Sequence, residues 1–355
     1  MSYNSYVILD EKIAIMDTVD VNFTDEWLEN IKHILQGRTP DYLIIQHMEP
    51  DHSASITDFM KKYSNTVIVA SAKAFVMMRG FFHKEYETRR KIVTEGDSLF
   101  LGKHVLNFIS APFVHWPEVL MTYDSYEKVL FSADAFGSFG ILDKKEEWVE
   151  EARRYYFGIV GKFGLSVQKV LKKIEQLEVQ MICSLHGPIL KENVGYYLNL
   201  YDTWSSYQAE DKGIVIAYAS VYGNTKKAVQ YLEEKLKEKG ISVTMIDLCR
   251  DDMSKAVAKA FQHGIVVLAS ITYNGGIFPP MREFLSNLTE RSFQNRTIAV
   301  IENGSWAFTA GNVMKKMLSE CRNIQWIEPV ITISSSVNKS NTEELNRLAE
   351  QLYLL

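Results

Sequence analysis

Tyr42-Leu43-Ile44-Ile45-Gln46-His47-Met48-Glu49-Pro50-Asp51-His52 passes from an apolar run straight into a loop holding four potential metal ligands within six residues. The apolar part reads as a short buried strand, and Pro50 restricts the backbone between the ligands. A lone histidine is usually structural and an acidic loop usually solvated, but His47, Glu49, Asp51 and His52 are clustered. Three further candidates each follow a short apolar run, where a scaffold would converge them: His115 in SAPFVHWPE, Asp134 in FSADAFG and His186 in CSLHGP. Four histidines and three carboxylates suffice for two ions with one carboxylate bridging, and two-metal sites hold their ions roughly 3.5–4 Å apart. His33, His83, His104 and His263 have no such neighbours and read as surface or core residues. The 3 cysteines, Cys183, Cys249 and Cys321, form no C-x-x-C pair, so neither a disulfide framework nor a four-cysteine iron site is available.

Outward from this loop, YVIL and KIAIMDTV flank a polar Asp10-Glu11 turn and predict a hairpin. Helical periodicity follows from Asp25 to Leu35. TVIVA, LFLG, HVLNFIS, VLMTYD and KVLFSAD predict strands, and a helix-rich stretch from Glu146 to Leu177 carries alternating charge expected on a solvated face. From Gly213 the rhythm changes to five strands (GIVIAYAS, SVTMIDL, GIVVLAS, TIAVIEN, WIEPVITISS) alternating with five helices, which predicts a doubly wound parallel sheet. The polar stretch Thr203 to Gly213 is the expected linker, giving domains 1–205 and 213–355. Two cores fit a chain of 355 residues that is 46% hydrophobic and 23% charged. A net charge of -5 without a basic stripe argues against a nucleic-acid partner. The absence of a signal-peptide pattern and of a long apolar run argues against a membrane and for a cytoplasmic address.

In the second half, Ser220-Val221-Tyr222-Gly223-Asn224-Thr225 leads from a strand into a helix, placing hydroxyls and backbone N–H groups at a positive helix terminus suited to a phosphate. The bland alternative is an ordinary helix capped by Thr225. Two more loops follow strands of the same sheet: Ser270-Ile271-Thr272-Tyr273-Asn274-Gly275-Gly276 and Asn303-Gly304-Ser305-Trp306-Ala307-Phe308. Ligands of open α/β sheets bind at the carboxyl ends of strands, so all three should open on one edge and suit a flavin. The first would cradle the phosphate, and the others would supply glycines for close approach and aromatic surface for the ring. G-x-G-x-x-G is absent, which disfavours NAD and FAD.

The H-x-[HE]-x-D-H loop, followed by a distant His, Asp and His in that order, resembles the metallo-β-lactamase fold and implies an N-terminal αββα sandwich. In the hydrolases of that superfamily the second loop position is usually His and the ions zinc. Glu49 stands there in this chain, and an anionic oxygen in place of an imidazole favours hard, higher-valent iron. S-x-[YT]-G-N-T resembles flavodoxin, where the same three loops bind FMN, and implies a flavodoxin-like five-stranded parallel sheet. Together the halves make the whole chain resemble the flavodiiron proteins, which reduce O2 to water or NO to N2O.

The resemblance implies a first iron on His47, Glu49 and His115, a second on Asp51, His52 and His186, and Asp134 bridging. In some family members the histidine matching His52 does not ligate. FMN would bind through residues 220–225, Thr272 to Gly276 and Asn303 to Trp306. Two ferrous ions and one FMN hydroquinone supply the four electrons that O2 needs, whereas two NO need only two. The family also implies a head-to-tail homodimer or dimer of dimers. It carries an additional segment before SYNSYVI, so the start of this chain reads as truncated or misassigned. Without C-x-x-C the chain reads as a short form lacking a rubredoxin domain, with an external donor such as rubredoxin or a reduced coenzyme. Two rival functions stand beside this one: a zinc hydrolase of thioesters with an appended flavodoxin, and an electron carrier whose first half is a metal-free docking module.

Overall fold

In the first half, neighbouring strands bury both faces, and alternate residues go to different cores. The computed structural model describes residues 1–140 and 148–355. The chain divides into Met1–Ser205 and Ser206–Leu355. In the first unit, β1 (Tyr6–Leu9), β2 (Ile13–Met16), β3 (Tyr42–Ile45), β4 (Val67–Ala70) and β5 (Arg90–Ile92) form one sheet in that order, antiparallel between β1 and β2 and parallel thereafter. Ile13, Ile15, Leu43, Ile45, Ile68 and Ala70 face a core shared with α1 (Thr24–Leu35), α3 (Ile56–Lys62) and α4 (Ala72–Phe82), while α2 (Pro50–Ser53) is a single turn. Ala14, Met16, Ile44 and Val69 face the opposite way.

They meet Leu99, Leu106, Phe108, Leu120 and Phe131 of the second sheet, formed by β6 (Ser98–Phe100), β7 (Val105–Ser110), β8 (Leu120–Asp124), β9 (Val129–Phe131) and β10 (Met181–Cys183). Leu130 and Ile182 are buried on the far face of that sheet. In the helical part of the unit, formed by α5 (Trp148–Tyr155), α6 (Gly164–Ile174) and α7 (Val194–Ser205), Tyr156, Phe157 and Tyr201 pack around Trp204. This is the αββα sandwich.

The hairpin at Asp10-Glu11 forms, with Tyr6 opposite Met16. β5 had no signal in the sequence because its three residues are exposed and two are charged, as suits an edge strand. The helix-rich stretch departs from expectation in one respect. Arg153 is only 1% exposed and pairs with Glu150 at 3.0 Å, so its charge is not on a solvated face. Glu146 and Glu147 of that stretch lie outside the described residues.

The second unit has the parallel order β12 (Val243–Asp247), β11 (Asp211–Tyr218), β13 (His263–Tyr273), β15 (Arg296–Gly304), with β14 (Gly276–Ile277) as a short antiparallel partner of β13. The fifth strand is split into β16 (Ile324–Trp326) and β17 (Ile331–Ser334), both paired with β15. Pro329 lies in the gap and has no N–H for the ladder. α8 (Asn224–Glu238) and α12 (Lys339–Tyr353) share the core on one face. α9 (Met253–Gln262), α10 (Pro279–Glu290) and α11 (Ala310–Met317) belong to the other, giving the doubly wound arrangement. The polar stretch from Thr203 to Gly213 is shorter as a connection than expected, since α7 runs to Ser205 and β11 begins at Asp211. Arg296, itself buried, donates to the Tyr207 carbonyl at 2.8 Å and ties that connection to the second unit. Among the described residues no helix is long and apolar enough to cross a membrane.

Candidate metal centre and flavin site

β3 delivers His47 two residues beyond its end, and the corner is fixed by an acid. Asp17, buried after β2, accepts from the backbone N of Gln46 at 2.8 Å and of His47 at 3.2 Å, and from Gln46 Nε2 at 3.0 Å. Burial raises its pKa to about 6 against the opposing effect of those hydrogen bonds. Pro50 then opens α2, where proline costs no hydrogen bond, and the single turn carries Asp51 and His52.

The seven expected ligands come together as two groups, His47, Glu49, His115 and Asp134, and Asp51, His52 and His186. Asp134 joins them. Its Oδ2 lies 3.1 Å from His115 Nε2 and 3.4 Å from His47 Nε2, and its Oδ1 lies 3.3 Å from His52 Nε2 and 3.6 Å from His186 Nε2. Glu49 Oε2 is 3.0 Å from His115 Nε2 and 3.2 Å from His47 Nε2, while Asp51 Oδ2 is 3.4 Å from His52 Nε2 and 3.3 Å from His186 Nε2. His33, His83, His104 and His263 belong to neither group.

The far nitrogens explain why the near ones point inward. His47 Nδ1 is 2.9 Å from Glu118 Oε1, and His186 Nδ1 is 2.7 Å from the Ser2 carbonyl. Each ring donates its Nδ1–H there and presents the Nε2 lone pair to the centre. His52 Nε2 and His186 Nε2 face each other at 2.9 Å, a separation at which two acceptor nitrogens repel unless a proton or cation lies between them. Asp134 Oδ1 and Asp51 Oδ1 are buried without a hydrogen-bond partner among the described residues. A donor set of imidazoles and hard carboxylates with such orphaned oxygens fits two cations.

The electrostatics agree. Burial opposes ionisation of Asp134, but the surrounding imidazoles hold its pKa well below the carboxylate range. Burial likewise works against Glu49, and hydrogen bonds from His115 and His47 bring it down to about 2. Burial works against protonated His47, His115 and His186, yet the carboxylates raise all three above the ordinary imidazole range. The walls are aromatic. Trp116 meets His47 edge-on, Tyr3 lies beside His52 and His186, and Tyr155 borders His186 with a buried hydroxyl lacking a hydrogen-bond partner among the described residues.

Asp17 and Glu118 were not singled out from the sequence. The signals were there: an acid closing an apolar strand in IAIMD, and another three residues after His115 in HWPE.

In the second unit a cavity of about 420 Å³ opens at the carboxyl ends of β11, β13 and β15. Ser220, Val221, Tyr222, Asn224, Thr225, Thr272, Tyr273, Asn274, Gly275, Asn303, Gly304, Ser305 and Trp306 line it. Gly223 and Gly276 do not, although both shape its walls. Gly223 caps α8 at φ 86, and Gly276 closes the hairpin whose turn residues Asn274 and Gly275 have φ 49 and 70. Ile271, Ala307 and Ser335 complete the lining. Ser335 was overlooked although it follows the last strand, and its N–H donates to the Gly304 carbonyl at 2.9 Å.

Thr225 is not the cap of α8. Gly223 holds that position, Ser220 Oγ accepts from the Lys226 backbone N of the first turn at 3.3 Å, and the buried Thr225 Oγ1 has no hydrogen-bond partner among the described residues. The remaining N–H groups of the first turn and an orphaned hydroxyl fit an incoming phosphate. Tyr222 and Trp306, each 92% exposed, stand at the cavity as surface for a planar ring.

Residues 1–187, more than half of the chain, match the ODP family beta lactamase. The chain belongs to the ODP family of beta lactamases. Behind this ODP part, residues 215–329 match a flavodoxin domain, so the chain has the two-part architecture of the flavodiiron proteins. It is 34% identical over 254 residues to a putative diflavin flavoprotein A 2 of Synechocystis, covering 70% of this chain and 44% of that protein. It is 30% identical over 318 residues to the anaerobic nitric oxide reductase flavorubredoxin of Salmonella paratyphi B, covering 86% of this chain and 66% of the relative. This ODP protein therefore spans less than half of the first relative and about two thirds of the second. Rubredoxin oxygen:oxidoreductase of Desulfovibrio gigas has the same fold, with a TM-score of 0.91 over 99% of this chain and 90% of that one at 24% identity.

Proposed function

We propose that the chain is an FMN- and diiron-dependent oxidoreductase that reduces O2 to water, NO to N2O, or both. The observation that carries this reading is Asp134, whose two oxygens face separate groups of imidazole and carboxylate donors, one of which includes Glu49. Two ferrous ions would supply electrons and open coordination positions for the gas, and reduced FMN would replenish them. His47, Glu49 and His115 would hold one ion, Asp51, His52 and His186 the other, and Asp134 both. Glu118 and the Ser2 carbonyl orient two of the imidazoles, and the aromatic rings of Tyr3, Trp116 and Tyr155 keep bulk water from the histidines. Ser220, Thr225 and the N-terminal N–H groups of α8 would hold the FMN phosphate, with the ring between the loops carrying Tyr273 and Trp306.

The relatives support a reductase: one is an anaerobic nitric oxide reductase flavorubredoxin and another a rubredoxin oxygen:oxidoreductase. They favour an external donor such as rubredoxin or a reduced coenzyme. A head-to-tail dimer and a cytoplasmic address belong to the same reading. Hydrolysis of thioesters on zinc is the less favoured function, since Glu49 adds a hard anionic donor. The test uses anaerobically prepared protein: two irons and one FMN per chain are expected, with consumption of O2 or NO once the flavin is reduced. Two zinc ions with thioesterase activity would overturn the proposal. Fully loaded protein inert toward both gases would leave the electron-carrier function.

A further inference from the structure

We propose that the two ion positions are unequal, that the position built on His47, Glu49 and His115 fills first, and that Glu118 is the positioning residue that makes it so. This rests on the two-ion reading above and goes beyond it by assigning an order of filling.

The two groups look alike in donor count once Asp134 is shared, but their supports differ in charge. His47 donates its Nδ1–H to a carboxylate, and the side chain of Glu118 is fully buried. The same oxygen, Glu118 Oε1, accepts from the Met48 backbone N at 2.9 Å, which fixes the loop between His47 and Glu49 as well as the ring. On the other side His186 donates to a neutral backbone carbonyl, that of Ser2, at 2.7 Å. His52 Nδ1 is buried with no hydrogen-bond partner among the described residues. An imidazole backed by an anion is the more basic donor, and a buried anion near a cation is little screened.

The first position thus gains Glu49, half of Asp134 and the charge of Glu118. The second gains Asp51 and half of Asp134, while buried Asp17 lies near both groups, accepting from the His47 backbone N at 3.2 Å and acting electrostatically on His52. The geometry of the second position depends instead on a neutral strap from the start of the chain. Asn4 Nδ2 donates to the carbonyls of Ser184 at 3.0 Å and Gly187 at 2.8 Å, and the Asn4 backbone N donates to the Leu185 carbonyl at 2.8 Å. Asn4 therefore brackets His186 from both sides without adding charge.

Titration of metal-free full-length protein with Mn2+, followed by calorimetry and electron paramagnetic resonance, tests this directly. The wild type should bind in two resolved steps, with an isolated-ion signal through the first equivalent and spin coupling only during the second. Glu118→Gln should weaken the first step by about 10–100-fold and bring the two steps together. Asn4→Ala should weaken the second step alone. Two equal sites, coupling from the first addition, or a Glu118→Gln variant that weakens both steps alike would overturn the inference while leaving two ions in place. Wild-type protein that never takes a second ion would instead overturn the two-ion reading and this inference with it. The wild-type resonance result stands whether or not a variant folds.

Discussion

The metal centre and the flavin cavity are built by opposite means. Seven donors from four separated stretches of chain converge on one buried point, where most are fully enclosed and two are aimed by a second residue behind them. The flavin cavity is made of short contiguous loops along one sheet edge, rich in backbone groups, with two aromatic rings almost wholly exposed. A site assembled from long-range contacts in a close-packed interior has little room to adjust, so its errors are all-or-none. A site on loops over a regular sheet is more forgiving, because each loop contributes separately.

The sharpest break of this contrast is Asp134→Ala. It removes the one group among the described residues that faces both halves, and it should abolish retention of a second ion and reduce gas consumption to background, read by metal analysis and gas electrodes. Retention of two ions with activity intact would show that the centre tolerates loss as a loop site does. At the flavin cavity Thr225→Val should keep the fold and the metals but weaken FMN binding by roughly tenfold, the loss of about one hydrogen bond to a charged group. A flavin affinity unchanged by this variant, measured by fluorescence titration, would remove Thr225 from the phosphate contacts.

A third effect, on stability rather than on ligand retention, concerns Asp17. Its pKa is raised in the fold to about 6 from 3.8, so the stability linked to its protonated form is fully present below about pH 4 and lost as pH rises through 6. In metal-free protein Asp17→Asn should therefore flatten the decline in unfolding free energy across pH 4 to 6 by up to about 3 kcal/mol. An unchanged slope in urea melts would mean that the ionised form is accommodated without cost.

Much was legible because chemistry and spacing coincide in the sequence. His47 to His52 lie within one loop, and their types alone announce metal binding. The contiguous flavin loops could likewise be read because each follows a strong apolar strand. Arg153 was misread because alternating charge along a helix does not reveal which turn is covered. β5 escaped because Arg90 and Lys91 carry no apolar signal at an edge whose pairing is made by backbone alone.

By itself the sequence determined the donor chemistry of the centre, the two-part organisation and the loops that border the cavity, since residue type and period are local properties. Only the tertiary structure decided that Asp134 faces both donor groups, that Glu118 stands behind His47 while a neutral carbonyl stands behind His186, and that Gly223 rather than Thr225 caps α8. Those facts depend on direction and on which atoms meet, for Glu118 and His47 across 71 residues of chain and for Ser2 and His186 across 184, and neither is encoded in spacing.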